Sequence, residues 1–264
     1  MSETHHSQTK ALVGITDVPQ ALLAPRSFFT RVEDVAVYGW PLVVLLTLLA
    51  LTGWTTVQTG LIDRDVDRQV HERIAHLEAQ QRDIVERSAL RALYEQEYKR
   101  ATFDKAMARI LVIAAEPLST LAVLLIIAAL LYGVVALTGR KAEWHTLLTI
   151  CVFAGFVDLV SAGTHFVLML RYRTLEVDTS LGLLTRLMAN QEDASPIALA
   201  AVSGLLTALD PFRVWFWILV IVGLSTTAQL RGWRAWGTCI ACWLIGAGGR
   251  AALAAFAAKA ATAT

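Results

Sequence analysis

The chain alternates long apolar runs with short polar breaks, and one break is far longer than the rest. A spanning helix needs about 20 mostly apolar residues, and five segments meet that requirement. The first, 37–57, reads "VYGWPLVVLLTLLALTGWTTV" and carries Tyr38, Trp40 and Trp54 near its ends, where interfacial aromatics belong. The second runs from about Ile110 to Leu137. The third, "WHTLLTICVFAGFVDLVSAGTHFVLML", covers 144–170 and is flanked by Arg140, Lys141, Arg171 and Arg173. The fourth, 212–230, follows Asp210 and Pro211, a capping acid and a first-turn proline. The fifth, from about Trp233 to Ala257, is rich in Gly and Ala, which suits close helix packing in lipid. The apolar stretch 195–209 is short for a span and reads as an interfacial or re-entrant helix, with a sixth span as the alternative.

The long polar break, 60–109, has no proline and no glycine after Gly60, and is full of strong helix formers. Val66, Val70, Ile74, Leu77, Ile84, Leu90 and Leu93 recur at helical spacing, with charged pairs such as Asp67/Arg68 on the other faces. The segment is therefore one long helix or a helical hairpin outside the bilayer, and its apolar stripe asks for a cover. Ahead of the first span, "VPQALLAPRSFFTRVED" mixes Leu22, Leu23, Phe28, Phe29 and Val32 with Arg26 and Arg31. That pattern predicts an amphipathic segment lying on the inner membrane surface.

Composition agrees with this reading. With 56% apolar and 17% charged residues and a mean hydropathy of +0.54, the chain is too apolar for an ordinary soluble domain. A formal charge of +1 gives no nucleic-acid signal. Cys151, Cys239 and Cys242 all fall inside apolar runs, so no extracellular disulfide framework is expected, and "CIAC" reads as small-residue packing. The polar "MSETHHSQTK" start has no apolar core directly behind it, so no cleavable signal peptide is expected. The arginines and lysines of the short loops place the amino terminus in the cytoplasm and, with five spans, the carboxyl terminus outside.

Two chemical motifs fail on spacing. In "HERIAH", His71 and His76 stand five apart, which turns the second imidazole about 140° from the first, whereas a zinc-binding pair four apart shares one face. "GAGGR" at 246–250 lacks the preceding strand and the lysine of a phosphate loop, and reads as a close-packing face on Gly246 and Gly249. No metal or cofactor is expected. Ionisable groups inside the apolar runs are the functional candidates. Asp158, Ser161 and His165 share one stripe of the third span and form either a proton relay or an interhelical lock, the latter with a base such as Arg250 as the partner of Asp158. Glu116, beside Pro117 in the second span, reads as a water-facing acid at a proline kink.

The lead-in "ALLAPRSFFTRVEDVAVYGWPLVVLLTLLAL", with its proline, its "FF" and its "WP" opening the first span, resembles the Yip family of Ypt/Rab-interacting membrane proteins, and its prokaryotic branch in particular. The fourth-span entry "LDPFRVWFWILVIVGLS" is similar to a recurring phrase of that family. The resemblance implies an all-α, polytopic membrane protein with five transmembrane helices, here with a long helical insertion between the first two. Residues 1–36 would be the cytoplasmic amphipathic segment and 37–264 the five-span domain. It further implies a non-enzymatic accessory subunit in a bacterial inner membrane, bound to other membrane or periplasmic subunits, exporter-type complexes among them, or to a second copy. A small proton-coupled transporter or channel using Asp158 and His165 is the competing function.

Overall fold

A computed structural model describes residues 13–32, 37–81, 87–137, 143–173, 200–202, 205–206, 209–227, 230 and 232–262. Most of 195–209, together with Ile84, Arg140 and Lys141, lies outside the described residues, as do the side chains of Leu77, Leu90 and Leu93. The described residues are helices and connecting turns. In chain order they are a 3-10 turn at Ile15–Asp17, then α1 (Val18–Leu23), α2 (Pro25–Arg31), α3 (Gly39–Gln58), α4 (Leu61–Gln81), α5 (Arg87–Leu137), α6 (Trp144–Tyr172), α7 (Pro211–Thr226) and α8 (Trp233–Thr262).

Four of these helices are long and apolar enough to cross a membrane: Gly39–Gln58, Tyr94–Leu137, Trp144–Tyr172 and Trp233–Ala257. The fourth apolar segment forms a shorter helix than its sequence predicts. α7 has 16 residues, a rise of about 24 Å against a hydrocarbon core of about 30 Å. Its entry is as expected: Asp210 is extended, its carboxylate accepts from the Phe212 amide at 3.0 Å, and Pro211 fills the first turn. Its end falls in the run Ser225, Thr226, Thr227, whose hydroxyls donate back to the carbonyls of Val222 and Gly223. Such back-bonding weakens helix propagation, and apolarity alone does not reveal it.

The chain divides into two compact units. The first holds residues up to Leu45, Thr120–Ser161 and the chain from Asp178 onward. Its axis is α6, in which Leu147, Ile150, Val152, Phe153, Ala154 and Val157 are all buried. Helices approach α6 closely where it or its neighbour has no side chain. A Cβ on Gly223 would meet Ile150 Cγ2 at 2.6 Å, and one on Gly155 would meet Leu45 and Leu124 at 3.1 and 3.2 Å. By contrast, no described residue outside the local helix lies within 4 Å of a Cβ built on Gly246 or Gly249, so among the described residues nothing packs on the close-packing face expected there. Cys151, Cys239 and Cys242 are free and buried in this unit.

The amino-terminal segment also departs from expectation. Phe28, Phe29 and Val32 turn into the protein rather than toward a membrane surface. Phe28 packs at 4.6 Å from the ring of Phe153, and α2 packs against α7. Among the described residues of this segment, Ile15 and Leu23 are the exposed large apolar side chains. The amphipathic pattern was correct, but a protein core and a lipid surface ask for the same apolar stripe. Asp17 fixes the segment by accepting from the Gly14 amide at 2.8 Å and pairing with Arg31 at 2.7 Å.

The second unit holds Leu46–Ser119 and Ala162–Val177. α3 ends at Thr59–Gly60, where Gly60 takes φ +69°, a left-handed conformation that glycine adopts without a Cβ penalty. α4 starts at once. Gly53 of α3 lies so near α5 that a Cβ there would stand 2.6 Å from the Val112 carbonyl oxygen.

Candidate functional site

The polar break resolves into two helices. α4 and the first half of α5 lie side by side and run in opposite directions, with Val66, Val70 and Ala101 buried between them and Ile74 and Ala108 packed at the edge. Charges set the register. Arg109 makes a two-pronged contact with Asp63, Nε to Oδ1 at 3.0 Å and Nη2 to Oδ2 at 2.5 Å. One turn away, Lys105 Nζ meets Asp67 Oδ1 at 2.6 Å. The hydrogen bonds from the Arg109 guanidinium hold the Asp63 carboxyl below the usual aspartate range.

These two pairs close one flank of the hairpin. The other flank is open, with a groove of about 710 Å³. Its floor is apolar, with Ile62, Val66, Ala108 and Val112; its rim is polar, with Asp65, Glu72, Arg73 and Asp104. Among the described residues, one ion pair crosses this side, Arg73 to Asp104, and it is long at 3.5 Å. His76 lines the groove, while His71 donates from Nδ1 to its own helix at the Asp67 carbonyl, 2.7 Å away. The two histidines of "HERIAH" thus serve different surroundings.

In the first unit, Asp158 is 15% exposed and its Oδ1 stands 3.5 Å from Arg213 Nη1, itself 30% exposed. The partner expected for Asp158 was Arg250; the geometry supplies Arg213 instead, from the first turn of α7, and Arg250 is exposed on α8 within electrostatic reach of Arg213. Arg213 was visible as the lone base of "DPFRVWFWILV", and its place directly after the cap was the signal that could have found it. Ser161 and His165 follow Asp158 on α6, both partly buried, with His165 falling in the second unit. Glu116 is exposed on α5, where the helix runs on through Pro117, and its carbonyl accepts from the Ser119 hydroxyl at 3.0 Å. Glu116 belongs to the second unit.

The Yip1 domain model matches residues 20–253 of the chain. No curated protein and no solved structure matches it. The family match covers most of the chain and agrees with the all-helical architecture and its long apolar helices. The chain therefore belongs to the Yip family, as an integral, multi-pass membrane protein.

Proposed function

We propose that the protein is a non-enzymatic scaffold or accessory subunit that binds other membrane or envelope proteins through the α4–α5 hairpin. The observation that carries this reading is the hairpin's asymmetry: one flank is closed by the Asp63–Arg109 and Asp67–Lys105 pairs, the other is an open groove with an apolar floor and a charged rim. A surface of that kind suits a helix from another chain. In this reading the Asp158–Arg213 pair is an interhelical lock. An acid held by a neighbouring guanidinium favours the lock over a relay that must take up and release a proton.

The proposed orientation puts the amino-terminal segment in the cytoplasm of a bacterial inner membrane, with the hairpin and carboxyl end outside. Arg26 and Arg31 ahead of α3 support it. The test is mass spectrometry of the complex released by mild detergent, with a Glu72→Cys variant labelled in intact cells by an impermeant maleimide. The expected result is a stoichiometric partner that is lost on Ala108→Glu, in the groove floor, together with labelling from outside. Isolation as a lone protomer, or labelling only after permeabilisation, overturns the scaffold or the orientation respectively.

A further inference from the structure

We infer that the open flank of the hairpin is the site where a second copy of this chain packs, so that α4 and α5 of two protomers form a four-helix bundle outside the bilayer, each α5 antiparallel to the α4 it meets. This rests on the scaffold reading above and names one partner for its groove. Phe103 and Met107 of α5 are 63% and 41% exposed. At about 1.5 Å of rise per residue they lie within about 3 Å in height of Lys105. Lys105 and Asp67 form an ion pair there, and Asp104 pairs with Arg73, all four side chains partly in solvent. Those charges mark the level as aqueous, so lipid does not cover Phe103 and Met107.

The flank bordering the groove carries Arg100, Asp104, Met107 and Leu111, at i, i+4, i+7 and i+11, which is a single stripe along α5. Leu111 is 55% exposed. The stripe is apolar toward the membrane; beyond that, Asp104 is already paired with Arg73, which leaves Arg100 as its unpaired charge among the described residues. The groove has the matching gradient, with Ile62 and Val66 toward the membrane and Glu72 beyond. The register set by Asp63–Arg109 and Asp67–Lys105 puts Glu72 level with Arg100, five residues further along α4 and five back along α5. Among the described residues, neither Glu72 nor Arg100 is in an ion pair.

Two copies in one bilayer share an orientation, so a two-fold axis along its normal brings residues of equal height together. Met107 and Leu111 of one protomer then seat on the Ile62–Val66 floor of the other. Arg100 meets the opposite Glu72, twice per dimer.

The test is copper-phenanthroline oxidation of the full-length protein in native membranes. With two differently tagged copies, one carrying Met107→Cys and the other Asp65→Cys, which lines the groove level with it, a disulfide-linked dimer should form, while Thr102→Cys, exposed on the opposite flank, should not pair with Asp65→Cys. The native cysteines are buried and give little background. Glu72→Arg and Arg100→Glu, placed in both copies of this pair, should each reduce cross-linking about tenfold, because each change introduces two repulsive contacts per dimer. Combining them should restore it. Circular dichroism of each variant checks that the helices are retained. Equal cross-linking at Thr102, no recovery in the double swap, or cross-linking of Met107→Cys to a different protein overturns the self-pairing. Co-purification of other chains tests the scaffold reading separately: a partner retained while no homodimer forms sinks only this inference.

Discussion

Two of the ion pairs that join helices, Asp158–Arg213 and Asp63–Arg109, use the same chemistry in opposite surroundings. The first lies between apolar helices with its acid largely withdrawn from solvent, and its contact is 3.5 Å and single. The second is shorter, two-pronged and about a third to a half exposed. Geometry alone ranks the hairpin pair higher. Dielectric reverses that order, because removing one member of a buried pair strands the other charge where water cannot reach it, while an exposed pair is replaced by water at little cost. The difference extends to the regions around them: the first unit is held by interior packing and tolerates few changes, whereas the hairpin has a thin apolar seam and depends on its charges for register.

The largest expected effect comes from breaking the packing side of that comparison. Phe153→Ala removes the ring touched by Phe28, Trp40 and Phe156. In lipid the transfer component of burial falls away, but the lost contacts and the cavity remain, so the loss should be about 3 kcal/mol or more. A fall in thermal stability in detergent, together with protease sensitivity of the α2 segment, would report it. Unchanged stability would mean the aromatic cluster is not a core.

Next comes Asp158→Asn, which leaves Arg213 without its acid. A fully buried pair would lose about 3 to 5 kcal/mol, but Arg213 sits in the first turn of α7 and can snorkel, so about 2 kcal/mol is expected. Arg213→Gln should cost at least as much, since the stranded acid has a shorter side chain. A proton flux in liposomes abolished by Asp158→Asn, with stability intact, would replace the lock by transport.

The smallest effect is expected at Asp63→Asn, under about 1 kcal/mol for an exposed pair. Its signature is pH dependence. The Asp63 carboxyl titrates below the usual aspartate range in the folded hairpin, so its stabilisation is complete above the unfolded-state value and is lost as pH falls through the folded one. Amide-exchange protection of α4 should therefore weaken between about pH 5 and pH 3 in the wild type, and less so in the variant. Equal pH profiles would show that the pair does not stabilise the hairpin.

Much of the secondary structure was legible in the sequence because helix signals are local. Asp210 and Pro211 announced the start of α7, and the stripe through Val66 and Val70 announced α4. What was not legible depends on which surface an apolar face meets. Gly249 and Gly53 both sit in apolar helices, yet only Gly53 touches another backbone, and no local pattern separates a glycine facing lipid from one facing a helix. For the same reason Phe28 and Phe29 read equally well as a membrane-surface anchor and as the core residues they are. Asp158 was found as a costly charge, but its partner depended on where α7 docks, which is tertiary information.

The ion pairs at the base of the hairpin have a consequence for how this family member can vary. Register is set within the first two turns of α4, at Asp63–Arg109 and Asp67–Lys105, far from the end of that helix at Gln81. A clamp at the base separates alignment from reach. Whole turns can be added to or taken from both arms, or a foreign domain spliced in after Gln81, while every residue below keeps its neighbour. The hairpin is in this sense an arm of adjustable length on a fixed joint.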